Sequence, residues 1–168
     1  MPNPNLIPLS LYIHIPWCVK KCPYCDFNSH ESRTPIDFVG YVDALLDDLK
    51  TQLSFVQGRK IATIFIGGGT PSLLPIAQYR QLFAGINAQL TLTHDCEITM
   101  EANPATVEHA PFHEYLAVGI NRLSLGVQSF QTQKLAALGR IHNPQQALSA
   151  IQNAQQAGFK KLNVDFMH

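Results

Sequence analysis

Three of the four cysteines, Cys18, Cys22 and Cys25, fall within eight positions of the stretch "HIPWCVKKCPYCDF". Thiolates at that density hold a soft metal, pair as a disulfide or act as a redox group. Structural zinc takes four ligands, so a zinc site here must recruit His14, Asp26 or His30 as the fourth. A [4Fe-4S] cubane held by three thiolates leaves one iron without a protein ligand, a vacancy that a small molecule can fill. The C-x3-C-x2-C spacing alone leaves cluster, zinc and redox thiols open. The fourth cysteine, Cys96, stands apart before "EITM" and reads as a buried free thiol.

Other polar or glycine-rich stretches each follow an apolar run: "GGGTP" (67–71), "EANP" (101–104), "QSF" (128–130) and "DFMH" (165–168). Consecutive glycines let a ligand approach the backbone closely, although a glycine run by itself is a plain strand-to-helix turn. Glu101 alone would be a solvated carboxylate, but at a barrel mouth it can accept hydrogen bonds from a ribose or an ammonium group. His14, inside an apolar run, reads by itself as a core histidine, and Tyr12 as a half-buried strand aromatic. His94, His109, His113 and His142 are scattered and read as solvent-exposed.

These residues need elements to position them. Apolar segments at 9–15, 61–66, 97–101, 122–127 and 162–166 predict five strands. Helical periodicity appears at 38–53 and 79–86, with further candidates at 107–118, capped by Thr106, and at 145–157. The last is opened by Asn143-Pro144 and ended by Gly158. Alternating strand and helix predicts an α/β fold with a parallel sheet. A doubly wound sheet binds ligand at one switch point, whereas a (βα) TIM-type barrel gathers chemistry at the C-terminal end of every strand. Unusual residues follow all five segments, which favours a partial barrel of about five βα units. The sequence stops directly after a strand, so 1–168 reads as the N-terminal part of one domain, with the remaining barrel expected elsewhere.

The chain has 168 residues, 46% hydrophobic and 14% charged, which suffices for one sizeable core. Twelve basic and twelve acidic side chains cancel, which argues against nucleic acid as a partner. No basic leader opens the chain and no apolar run approaches the roughly 20 residues of a membrane span, so a cytoplasmic setting is expected, with membrane contact only through a partner. Thiols there stay reduced, which removes the disulfide.

"YIHIPWCVKKCPYC" followed by "FIGGGTPS" resembles the radical S-adenosylmethionine superfamily, and within it the oxygen-independent coproporphyrinogen oxidase-like group. "MEANP", "RLSLGVQSF", "LGRIH" and "NVDFMH" fit that group in order, so the resemblance spans the chain. It implies that Cys18, Cys22 and Cys25 ligate a [4Fe-4S] cluster whose fourth ligand is S-adenosylmethionine. It further implies that Gly68, Gly69 and Thr70 lie along the methionine part, that Tyr12, Glu101, Gln128, Arg140 and Asp165 contact the same cofactor, and that His14 stands near substrate. Oxidases of the group carry another cysteine two residues after the third, where this chain has Phe27. That departure resembles the haem-chaperone branch, implying haem as ligand, a haem-acceptor protein and an electron donor for the cluster as partners. The alternatives are a coproporphyrinogen III oxidase acting through a 5'-deoxyadenosyl radical, and a zinc-binding interaction module.

Overall fold

In the sequence "LSLYIHI" large apolar and other residues alternate, and in an extended chain alternate residues face opposite sides. The computed structural model, which describes residues 7–106 and 111–167, shows the result in strand β1 (Leu9–Ile15). Ile13 and Ile15 are buried on one side, while Ser10, Tyr12 and His14 face the other. A short pair follows, β2 (Trp17–Cys18) with β3 (His30–Glu31), and encloses the cysteine segment. Then come α1 (Phe38–Val56), β4 (Ile61–Gly68), α2 (Ile76–Gln89), β5 (Leu92–Ala102), α3 (Phe112–Ala117), β6 (Arg122–Gln128), α4 (Thr132–Ala137), α5 (Pro144–Gln156) and β7 (Lys161–Phe166).

Caps written in the sequence set several boundaries. The Asp37 carboxylate accepts from Gly40 N–H at 2.9 Å to start α1. Asn143 and Gln146 form a reciprocal capping box at α5 with Pro144 in the first turn, and Gly158 follows with φ of 102°. Thr106 does not cap α3, whose N-cap is Pro111. The Thr106 hydroxyl instead lies 2.6 Å from that of Ser72, tying two loops together. The expected opening of that helix at 107–110, with His109, lies outside the described residues.

The main sheet has five parallel strands in the order β1-β4-β5-β6-β7. Each new strand joins the same advancing edge and the order never reverses, so there is no switch point of the doubly wound kind. This is the progression of a (βα) barrel, seen over five strands.

The core lies entirely on the outer side of the sheet. Ile64, Ile66, Met100, Leu123, Leu125 and Val127 pack there with Val42, Tyr79, Leu82, Ile86, Ala147 and Ala154 from the helices. Each large aliphatic side chain so buried contributes roughly 1.5–3 kcal/mol. The buried hydroxyls of Tyr79 and Tyr115 donate to the carbonyls of Pro71 (3.0 Å) and Ser72 (3.2 Å), which fixes the loop after β4. The concave side is mostly polar: strand register and cross-strand contacts place Ser10, Thr63, Thr99, Ser124 and Asn163 on it, with an ion pair at 2.8 Å between Glu97 and Lys161 near its base.

Candidate functional site

The cysteine segment is fastened from three sides. Gly69 N–H donates to Ile15 O and Thr70 N–H to Trp17 O, both at 2.7 Å, so the "GGGTP" backbone grips the stem of the segment. His30 N–H donates to Pro16 O at 2.7 Å and Ser32 N–H to Cys18 O at 3.0 Å, closing it from the far side. Lys21 Nζ donates to the carbonyls of Phe27 and Ser29 within. The Trp17 ring stands edge-on to Tyr41 (4.5 Å) and Phe38, anchoring the segment to α1.

The same contacts give the glycines a role within the chain. A Cβ on Gly68 would stand 2.7 Å from the His14 ring and 2.9 Å from Ile15 O, and one on Gly69 would meet the Trp17 carbonyl. Gly68 also has φ of 116°, a backbone conformation that side chains oppose. Close approach by the chain's own atoms thus accounts for glycine at both positions.

Cys18, Cys22 and Cys25 line one cavity at the C-terminal ends of the strands. Gly69, Thr70, Glu101, Gln128, Arg140 and Asp165 line it too. Tyr12, His14 and Gly68 line an adjoining hollow that shares Glu101 and Phe27 with the first. The structure thus gathers all twelve residues singled out in the sequence around two connected spaces.

Around the cavity Arg140, Asp165 and Glu101 have partners that set their direction. Arg140 donates through Nη2 to Gly126 O and lies 3.5 Å from Cys22 Sγ and 3.4 Å from the Tyr24 hydroxyl, while its Nε is buried without a protein partner. Asp165 accepts from Ser124 Oγ (3.1 Å) and from Asn163 Nδ2 (2.7 Å). Glu101 accepts from Gly68 N–H at 3.3 Å. Burial raises the Glu101 pKa above the usual carboxylate range, and nearby Asp165 adds to the rise, while the Gly68 N–H and His14 pull it down. Gln128 has a backbone φ of 67°, unusual for a residue other than glycine, and such strain gathers at functional sites.

His14 is engaged through both ring nitrogens, Nδ1 at 2.8 Å from the Tyr12 hydroxyl and Nε2 at 2.7 Å from Asn28 O. A carbonyl only accepts, so Nε2 carries a proton and, in the neutral ring, Nδ1 accepts from Tyr12. Neither nitrogen is free to complete a tetrahedral zinc site, and the Asp26 and His30 side chains are exposed. Among the described residues no three His, Cys, Asp or Glu are close enough to share one metal ion. A cubane binds each thiolate through a different iron, so three thiols spread around one cavity fit it. The buried unpartnered Arg140 Nε and the Glu101 and Asp165 carboxylates give the same cavity donors and acceptors for a carboxylate, an ammonium and a ribose.

Tyr12 is more exposed than a half-buried strand aromatic, at 57%, and stacks on Phe65 with ring centres 6.4 Å apart. His142 corrects the expectation of exposure: it is 4% exposed, since the chain folds back and lays it against the Val127 carbonyl. His94 and His113 are exposed, and Cys96 is a buried free thiol with its pKa raised by burial. Sequence reasoning missed Ser124, Asn163 and Tyr24, which orient Asp165 and Arg140. Only strand register, placing Ser124 beside Asn163, could have found the first two.

A family model described as the Radical SAM superfamily matches residues 12–168. The chain is 55% identical to "Heme chaperone HemW" of Escherichia coli, over 98% of its own length and 43% of that protein's. It is 50% identical to the Haemophilus influenzae protein of the same name, over 98% and 44%. Among solved structures it resembles the Escherichia coli coproporphyrinogen III oxidase HemN with a TM-score of 0.86 at 32% identity, covering 95% of this chain and 37% of that one. The chain spans less than half the length of these relatives. The family implies a [4Fe-4S] cluster and S-adenosylmethionine, and the donors lining the cavity suit both. With its model matched along nearly the whole length and its barrel progression shared, this chain belongs to the radical SAM superfamily.

Proposed function

We propose that the chain is the cluster- and S-adenosylmethionine-binding core of a haem chaperone, which delivers haem to an acceptor protein. The observation that carries the reading is 55% identity over 98% of the chain to a protein named as a haem chaperone. In this reading Cys18, Cys22 and Cys25 hold three irons of the cluster. Gly69 and Thr70 border the methionine part, with Gly68 fixing the turn behind them. Glu101, Gln128, Arg140, Asp165 and Tyr12 surround the rest of the cofactor. When bound, cluster and cofactor together supply one-electron chemistry. His14 orients Tyr12 through Nδ1 and stands beside the cavity on the side where substrate would approach. Haem, its acceptor and an electron donor would be met by the full-length protein, whose remaining barrel and C-terminal domain complete this core. The setting is cytoplasmic; among the described residues no helix is long and apolar enough to cross a membrane.

The likeness to the oxidase HemN favours one second reading, coproporphyrinogen oxidation. Phe27 weighs against it. It lies exposed on the cavity wall, 61% accessible, where the oxidases have a further thiol. Full-length protein, reconstituted anaerobically, should take up haem and form no protoporphyrinogen IX from coproporphyrinogen III with a reductant. Turnover in that assay would establish the oxidase and sink the chaperone reading.

A further inference from the structure

Strand β6 ends in a strained turn. Ser129 N–H donates to Val127 O at 2.8 Å across Gln128, whose φ is 67°. A hydrogen bond from residue i to i+2 around a positive φ is the rare, strained form of γ-turn. It breaks the register between β6 and β7 after Gly126. Such a turn persists only where its surroundings over-determine it. Here three successive carbonyls are held by donors from other parts of the chain: Gly126 O by Arg140 Nη2, Val127 O by His142 Nε2 at 3.0 Å, and Gln128 O by Met167 N–H at 3.0 Å.

His142 is the donor whose presence needs explaining. Its Nε2 faces a carbonyl and therefore carries the proton, which leaves Nδ1 with a lone pair. That Nδ1 is buried without a protein partner. Burial, and then the Arg140 charge, push its pKa down to about 4, so the ring is neutral at ordinary pH. A leucine would fill similar space without an unsatisfied acceptor. What the imidazole adds is one hydrogen bond, to Val127 O.

We propose that His142 is a positioning residue, whose Nε2–H holds the Val127 carbonyl and with it the left-handed turn that aims Gln128 into the cofactor cavity. The inference rests on the reading of that cavity as the S-adenosylmethionine site. The test measures S-adenosylmethionine binding by equilibrium dialysis to anaerobically reconstituted full-length protein, with iron content as a second readout. His142→Leu should weaken binding about tenfold, the effect of one lost hydrogen bond, with iron unchanged. His142→Gln places an amide nitrogen where Nε2 stands and should restore affinity to near the parent's. In a Gln128→Ala background His142→Leu should cost nothing further, because the two act through one turn. Parent-like binding by His142→Leu, or a full additional loss in the double variant, overturns the proposal. If Gln128→Ala alone binds normally, the cavity reading itself fails and takes the inference with it. Should His142→Leu not fold, His142→Asn, too short to reach Val127 O, carries the same expectations.

Discussion

Cys22 and Cys96 share a side chain and differ in everything around it. Cys22 lines the cavity beside Arg140, and Cys96 sits within β5 among core residues. Cys22→Ala should abolish cluster binding, since a missing thiolate leaves two irons under-ligated, whereas Cys96→Ala should keep it. Equal iron content in the two variants after anaerobic reconstitution would disprove the ligand set. Glu101 carries the opposite kind of signature, a cost. Its pKa is raised in the folded state, chiefly by burial, so its proton is held more tightly there than in the unfolded chain. Its contribution to stability is full below the ordinary carboxylate range and is lost as pH rises through the raised value. At neutral pH the carboxylate is therefore a net cost, and Glu101→Gln should raise Tm at pH 7. The same variant should bind S-adenosylmethionine more weakly, and melting curves beside binding isotherms decide both. That the cysteines and Glu101 would meet at the strand ends was legible because each follows an apolar run in the sequence, and they do line one cavity. Ser124 and Asn163 were not legible, because their partnership spans 39 positions and exists only once β6 and β7 pair. His142 misled for a related reason: "GRIHNP" looks polar, and only folding back onto β6 buries it.

Among elements, strands were easier to read than what joins them. β1 matches the expected 9–15, since its apolar residues announce both ends. β5 extends back to Leu92 because its first half, with exposed His94 and Asp95, has no apolar run and pairs irregularly with β4. α4 went unseen, as Leu135 is its one buried residue and a single apolar position has no period. The glycine run, singled out because it lets a ligand approach the backbone, also braces the cysteine segment. Two glycines separate those roles. Gly58 has φ of 73° with nothing near its Cβ position, so Gly58→Ala should cost about 1 kcal/mol in backbone strain and leave iron content alone. Gly69→Ala would press on the Trp17 carbonyl and loosen the hydrogen bonds from Gly69 and Thr70 to the segment. Iron per chain after reconstitution should fall markedly in Gly69→Ala and stay at the parent level in Gly58→Ala; the reverse would show that the brace does not matter to the cluster.

For the whole molecule, the advancing order of strands leaves two open edges, since among the described residues β1 pairs only with β4 and β7 only with β6 in the main sheet. Near the β7 edge the Phe130 and Phe166 rings meet at a tilt of 59° with centres 5.4 Å apart, both exposed, beside exposed Met167. An unpaired strand next to exposed aromatics invites other chains. The 168-residue chain should therefore self-associate as concentration rises, and Phe166→Lys should reduce it; sedimentation velocity showing a monomer throughout would refute this. The apolar core, by contrast, asks nothing of the concave side, because sheet and helices bury one another on the outer face alone. The helices on the outer face thus hold from behind the strand ends that carry the three thiols, and the concave side is left free to take up a ligand.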